Sequence, residues 1–191
     1  MFAIHVDEQV DLRLLVERDL DAHFALLMAN RAYISVWEPW VEAITYEGQL
    51  DYIRYMRDQY ANGIALTCGV WYRQHIDCDH VLVGNVTYRT ARDIQSTEVG
   101  YWLAEDQTGQ GIITRAVGAL IRHAFETDKL NRVLIRAAAE NAASRAVAER
   151  LGFHLDGIIR GDMRLYNRIM DRAIYTVMAT DWQDQSNAYN T

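Results

Sequence analysis

The stretch Asp106 to Ala116, DQTGQGIITRA, places Gly109 and Gly111 where an apolar run gives way to a helical pattern. The run before it, TEVGYWL (97–103), has the β-branched and aromatic composition of a strand. The run after it repeats with a period near 3.6 through Val117, Leu120, Ile121, Ala124 and Phe125, which predicts a helix over about 112–127. A strand-to-helix turn rich in glycine presents backbone N–H groups and the positive end of a helix dipole to an anion. A P-loop would need Gly-Lys-Ser/Thr, but Ile112 follows Gly111 and Lys129 is the only lysine. A dinucleotide fingerprint would need a third glycine where Thr114 stands, and an acid where Asn131 and Arg132 stand. Two readings remain open on the loop alone. One is a turn that takes a pyrophosphate, such as that of coenzyme A, without help from lysine. The other is a tight turn with no ligand.

Outward from this point the pattern is that of one mixed α/β layer fold. DLRLLV (11–16) alternates as a short strand, and Asp19 is expected to cap a helix carrying Leu20, Phe24, Leu27 and Met28 on one face. A second helix is expected from about Glu47 to Asn62, with Leu50, Ile53 and Tyr60 inward and Gly63 ending it. Three strands follow at 64–72, 81–89 and 97–103 as an antiparallel meander, then the helix at 112–127 and a strand at 132–137. A helix from Ala142 to Leu151 closed by Gly152 and strands near 153–161 and 169–178 complete the order. The whole is one domain over 1–181 with a polar tail, 182–191, and Pro39 is the only proline.

Composition narrows the function. The net charge of −7 and the scatter of cationic residues exclude a phosphate-backbone footprint, so nucleic acid is not an expected partner. No apolar run has the length of a membrane span and the N-terminus has no leader pattern, so a soluble cytoplasmic protein is expected. Cys68 and Cys78 are too few for a disulfide scaffold. His75, Cys78 and His80 in HIDCDH (75–80) are metal-ligand types, but their spacing matches no zinc site, and a polar turn with no metal is the expectation.

The segment ENAASRAVAERLGF (140–153) sets Asn, Ser, a helix face and Gly-Phe at fixed intervals. With GYWL (100–103) and GQGIIT (109–114) it resembles the GNAT acetyltransferase superfamily, and the combination is similar to its RimJ/RimL branch, which acetylates protein N-terminal amines. VWEPW (36–40) resembles an aromatic segment of the same branch. The resemblance implies a mostly antiparallel mixed sheet of about seven strands flanked by about four helices, and acetyl-CoA as cosubstrate without a metal.

By the same resemblance, Gly109, Gln110, Gly111, Ile112, Ile113 and Thr114 would hold the pyrophosphate, with Asn141 and Ser144 also touching the coenzyme. Backbone N–H groups near Trp102 and Leu103 would hold the pantetheine and the thioester carbonyl. Glu98 stands where many members carry a general base. The tyrosine that often protonates the departing thiolate is replaced by Ala148, which leaves Ser144 as the expected donor. Asn141 is also an N-cap type in its own right. Trp37, Glu38 and Trp40 are expected beside the acceptor groove, with Glu38 and Glu42 attracting a protonated amine. Met163 and Asp162 stand where the branch sometimes carries a glutamate. The expected acceptor is a protein or peptide N-terminus, and a homodimer is expected. The alternatives are a small-molecule amine, such as a polyamine or antibiotic, and a coenzyme A sensor without catalysis.

Overall fold

A computed structural model describes residues 2–182; the expected tail beyond Trp182 lies outside the described residues. The strands are β1 (Ala3–His5), β2 (Val10–Leu14), β3 (Ala65–Tyr72), β4 (Val81–Ala91), β5 (Ser96–Leu103), β6 (Arg132–Ala138), β7 (His154–Leu165) and β8 (Arg168–Met178). The helices are α1 (Leu20–Ala29), α2 (Arg31–Ser35), α3 (Tyr46–Ala61), α4 (Ile112–Glu126) and α5 (Ala142–Arg150). The strands form one sheet in the order β1-β2-β3-β4-β5-β6-β8-β7. Pairs β1/β2, β2/β3, β6/β8 and β7/β8 are antiparallel, and β5/β6 is parallel. This is the mixed, mostly antiparallel fold expected, with β1 as an additional strand at one edge. The chain divides into two compact units: residues up to Tyr88 with Tyr101–Ala116, and Arg89–Gly100 with the residues from Val117 onward.

In the first unit, β2 buries Val10, Leu12 and Leu14 on one face, as its alternation requires. Leu27 of α1, Ile34 of α2 and Val41 form a buried cluster that Met28, Ile44 and Trp102 cover. Asp19 precedes α1, but its carboxylate does not cap that helix. It accepts from the Val16 N–H at 3.0 Å and closes the 3₁₀ turn Glu17–Asp19. Helix α3 is capped by Thr45, whose Oγ1 accepts from the Gly48 N–H at 3.0 Å, and it ends at Gly63 with φ +64°. Its inward residues are Gln49, Ile53 and Met56, whereas Tyr60 is exposed and meets Phe2 edge to face. The face is therefore rotated from the expected one, because a polar Gln49 occupies a core position.

In the second unit, Val117, Leu120, Ile121 and Ala124 of α4 are buried, as are Val147, Ala148 and Leu151 at α5 and Val133, Ile135, Ala173, Tyr175 and Val177 on the sheet. A Cβ on Gly118 would meet Leu151 at 3.4 Å, so α4 and α5 lie in contact. Gly152, φ +75°, ends α5 as the sequence predicts.

Candidate active site

In the first unit, β5 runs through Trp102 and Leu103 into a 3₁₀ turn, Glu105–Gln107, and then the glycine turn. Gly109 has φ +77° and Gly111 φ +71°, and a Cβ on either would meet nothing within 4 Å. Glycine is required at both for backbone conformation, and neither position is crowded. Helix α4 opens with the Arg115 N–H donating to the Gly111 carbonyl at 3.0 Å, so the Ile112 and Ile113 N–H groups stand ahead of the first donor that this helical bonding engages. Gly109 and Gln110 are exposed and Gly111 is half-buried, whereas Ile112 and Ile113 are buried. Gln110, between the glycines, accepts from the buried Tyr72 hydroxyl at 3.2 Å. Arg115 is neutralised by Asp7 at 2.8 Å and also donates to Gln9.

Close approach fixes the end of β5. A Cβ on Gly84 of β4 would lie 2.5 Å from the Trp102 carbonyl, and the Ala104 N–H donates to Val83 at 2.8 Å. The Trp102 side chain is half-buried over the Leu27, Ile34 and Val41 cluster. The aromatic segment is anchored by the buried Val41. The Trp37 and Glu38 N–H groups both donate to Ile34, and Pro39 opens a 3₁₀ turn. Trp37 and Glu38 are half-buried. Trp40 is 45% exposed and donates its indole N–H to Glu38 at 2.7 Å, so it is not a core residue.

In the second unit, the parallel ladder pairs Ser96, Thr97 and Glu98 with Arg132, Val133 and Leu134, and stops at Glu98. Both Glu98 carboxylate oxygens accept from Arg136, at 3.0 Å from Nε and with a second, short bond from Nη2. Glu98 in turn raises the affinity of the Arg136 guanidinium for its proton. Asn141 caps α5, its Oδ1 accepting from the Ser144 N–H at 3.1 Å. Ser144 is half-buried and Ala148 fully buried, so the position of the missing phenol is filled by packing. Arg145 donates to the Tyr175 hydroxyl at 2.9 Å and to the Ala139 carbonyl, and the Tyr175 hydroxyl donates to Glu149 at 2.7 Å. These bonds hold α5 at both ends of its first turns. Asp162 pairs with Arg172 at 3.3 Å, and Met163 is half-buried beside it.

The HIDCDH segment forms the turn between β3 and β4, with the Cys78 N–H donating to His75, and His80 lies 3.7 Å from Asp11. Among the described residues, no three His, Cys, Asp or Glu side chains are grouped to hold a metal ion. Arg136, Tyr72 and the Arg145–Tyr175–Glu149 bonds were not legible from spacing, since each joins residues far apart in the chain.

A strand whose parallel ladder ends at Glu98 and which runs into a glycine turn opening a helix is the arrangement that the resemblance to an acetyltransferase implies. The profile of the acetyltransferase (GNAT) domain matches residues 9–154, and the chain belongs to that family. Its activity is N-acetyl transfer. It is 33% identical over 190 residues to the "Putative ribosomal N-acetyltransferase YdaF" of Bacillus subtilis (strain 168), covering 97% of this chain and 100% of that protein. It is 28% identical over 178 residues to the ribosomal-protein-serine acetyltransferase of Escherichia coli (strain K12), covering 88% and 97%. The fold matches that of RimL, a ribosomal L7/L12 alpha-N-protein acetyltransferase solved with coenzyme A, with a TM-score of 0.86, 23% identity and coverage of 93% and 98%. No helix among the described residues is long and apolar enough to cross a membrane.

Proposed function

We propose that this chain moves the acetyl group of acetyl-CoA to the N-terminal α-amine of a protein, with ribosomal proteins as the substrate class. The observation that carries the reading is the passage of β5 into α4 through two glycines held at positive φ, with open space where a Cβ would stand. Relatives that carry ribosomal-protein acetyltransferase names at full-length coverage support the acceptor class. Residues 1–181 act as one catalytic domain, in the cytoplasm and as a homodimer.

In this reading the turn from Gly109 to Thr114 takes the pyrophosphate, and the N–H groups at Trp102 and Leu103 take the pantetheine and the thioester carbonyl. Asn141 holds the start of α5 in place for the coenzyme. The amine nitrogen attacks the carbonyl carbon, the C–N bond forms, and the C–S bond breaks. Glu98 receives the amine proton, directly or through water, and the Ser144 hydroxyl delivers a proton to the leaving sulfur. An α-amine, with a pKa of about 7.7 to 8.0, needs only a modest base. Arg136 holds both oxygens of the Glu98 carboxylate and so fixes its orientation. Trp37, Glu38 and Trp40 meet the acceptor chain. The test is acetylation of peptides carrying ribosomal-protein N-termini, with mass spectrometry of the product. An acetyl group on the α-amine supports the reading, and transfer confined to lysine side chains or small amines overturns it.

A further inference from the structure

Beneath Trp102 lies a polar pair that the chemistry above does not use. His23 of α1 is 1% exposed and Gln49 of α3 is 0% exposed. The Gln49 amide nitrogen lies 3.0 Å from His23 Nδ1. An amide nitrogen can only donate, so Nδ1 accepts and the imidazole carries its proton on Nε2. Among the described residues, His23 Nε2 and Gln49 Oε1 have no hydrogen-bond partner. The His23 ring meets the Trp102 ring edge to face, with centroids 5.5 Å apart and planes at 64°. Trp102 also packs against the apolar cluster of Leu27, Ile34 and Val41.

Burying two such groups half-satisfied is unfavourable, and apolar side chains of the same shape would be neutral or stabilising here. Stability therefore gives no reason for the pair, whereas the edge-to-face contact gives it a directional effect on Trp102. A phenyl ring in place of His23 could turn about its χ2 axis. An imidazole pinned at Nδ1 by Gln49 cannot, and it presents one fixed edge to the indole. We propose that His23 and Gln49 are a positioning pair for acetyl transfer: together they lock the Trp102 side chain in one orientation and so fix the end of β5. This rests on the assignment of the Trp102 and Leu103 backbone to the thioester. The apolar cluster supplies attraction without orientation, and the pair supplies the orientation.

The test compares His23→Phe, Gln49→Leu and the double variant with the parent. Each is expected to melt at or above the parent's temperature at neutral pH and to bind acetyl-CoA within about twofold of it, while kcat falls about tenfold or more. The double variant is expected to be no slower than the slower single, since either change frees the same ring. A loss of kcat that tracks a loss of melting temperature would show a structural role and overturn the proposal, as would multiplicative losses or singles with parental kcat. Fluorine NMR of protein labelled with 5-fluorotryptophan reads the same claim without turnover, using Trp102→Phe to assign the signal. The Trp102 resonance should be single in the parent and shifted or broadened in both single variants; an unchanged resonance overturns the proposal even if the acceptor is misassigned. A parent that acetylates no peptide, yet shows the expected resonance changes, would instead count against the acceptor reading alone.

Discussion

Ala148, buried on α5, carries no proton donor, so in the proposed transfer the proton for the leaving sulfur comes from another group. Ser144 stands one turn nearer the helix start, with its backbone N–H already engaged by Asn141. Replacing Ser144 with Ala is expected to lower kcat by about 10² to 10⁴ while leaving coenzyme affinity unchanged. Steady-state kinetics with calorimetry separates the two, and a loss under about tenfold would remove Ser144 from the proton path. Glu98→Gln is expected to push the rise of kcat/KM with pH toward the alkaline side, because the amine must then lose its proton unaided; an unchanged profile would take Glu98 out of the mechanism. His23 supplies a third residue-scale prediction. Burial lowers its pKa from 6.5 to about 4. The unfolded chain takes up a proton between those values and the folded one does not, so stability is full above pH 6.5 and declines as pH falls toward about 4. The loss should approach about 3 kcal/mol at that end. Denaturation curves across this window should show the slope in the parent and a flatter one in His23→Phe.

Elements repeat the same division between what pattern reveals and what register decides. Helices α4 and α5 were legible because their apolar residues recur on one face and glycine closes α5. Strand β1 was not, since three residues of half-exposed chain carry no period, and it exists by pairing Ile4 with Leu12 of β2. The inward face of α3 was misjudged because Gln49 is a core residue by virtue of His23, a contact between helices that no local signal announces. The bond from Arg136 to Glu98 is hidden for a related reason: it exists only because β5 and β6 run parallel, with Glu98 opposite Leu134. The backbone of the glycine turn, in contrast, was readable from its spacing, since Gly109 and Gly111 both take positive φ. Gly111→Glu is expected to abolish coenzyme binding in a folded protein, since it adds a side chain at φ +71° and a negative charge at the helix start. Unchanged affinity by calorimetry would contradict the phosphate role. Gly84→Ala should destabilise by about 1 to 3 kcal/mol, because its Cβ would lie 2.5 Å from the Trp102 carbonyl.

At the scale of the whole molecule, family membership was readable because motifs from Glu98 to Phe153 stand in order, and the matched profile covers residues 9–154. The acceptor was less readable: Trp40, which the proposal sets beside it, is exposed and tied to Glu38, a placement that no sequence pattern announces. The proposed homodimer predicts that sedimentation at micromolar concentration shows a species of twice 22.0 kDa, and a lone 22.0 kDa species would contradict it. The net charge of −7 predicts that capture of a protonated N-terminus weakens with added salt, as the Debye length falls toward about 8 Å. The central claim is the transfer itself. Incubating the purified chain with acetyl-CoA and a peptide bearing a free α-amine and an internal lysine, then locating the acetyl group by tandem mass spectrometry, tests it most directly: the acetyl group should be found on the α-amine, and a peptide left unmodified or acetylated only at lysine would contradict the account.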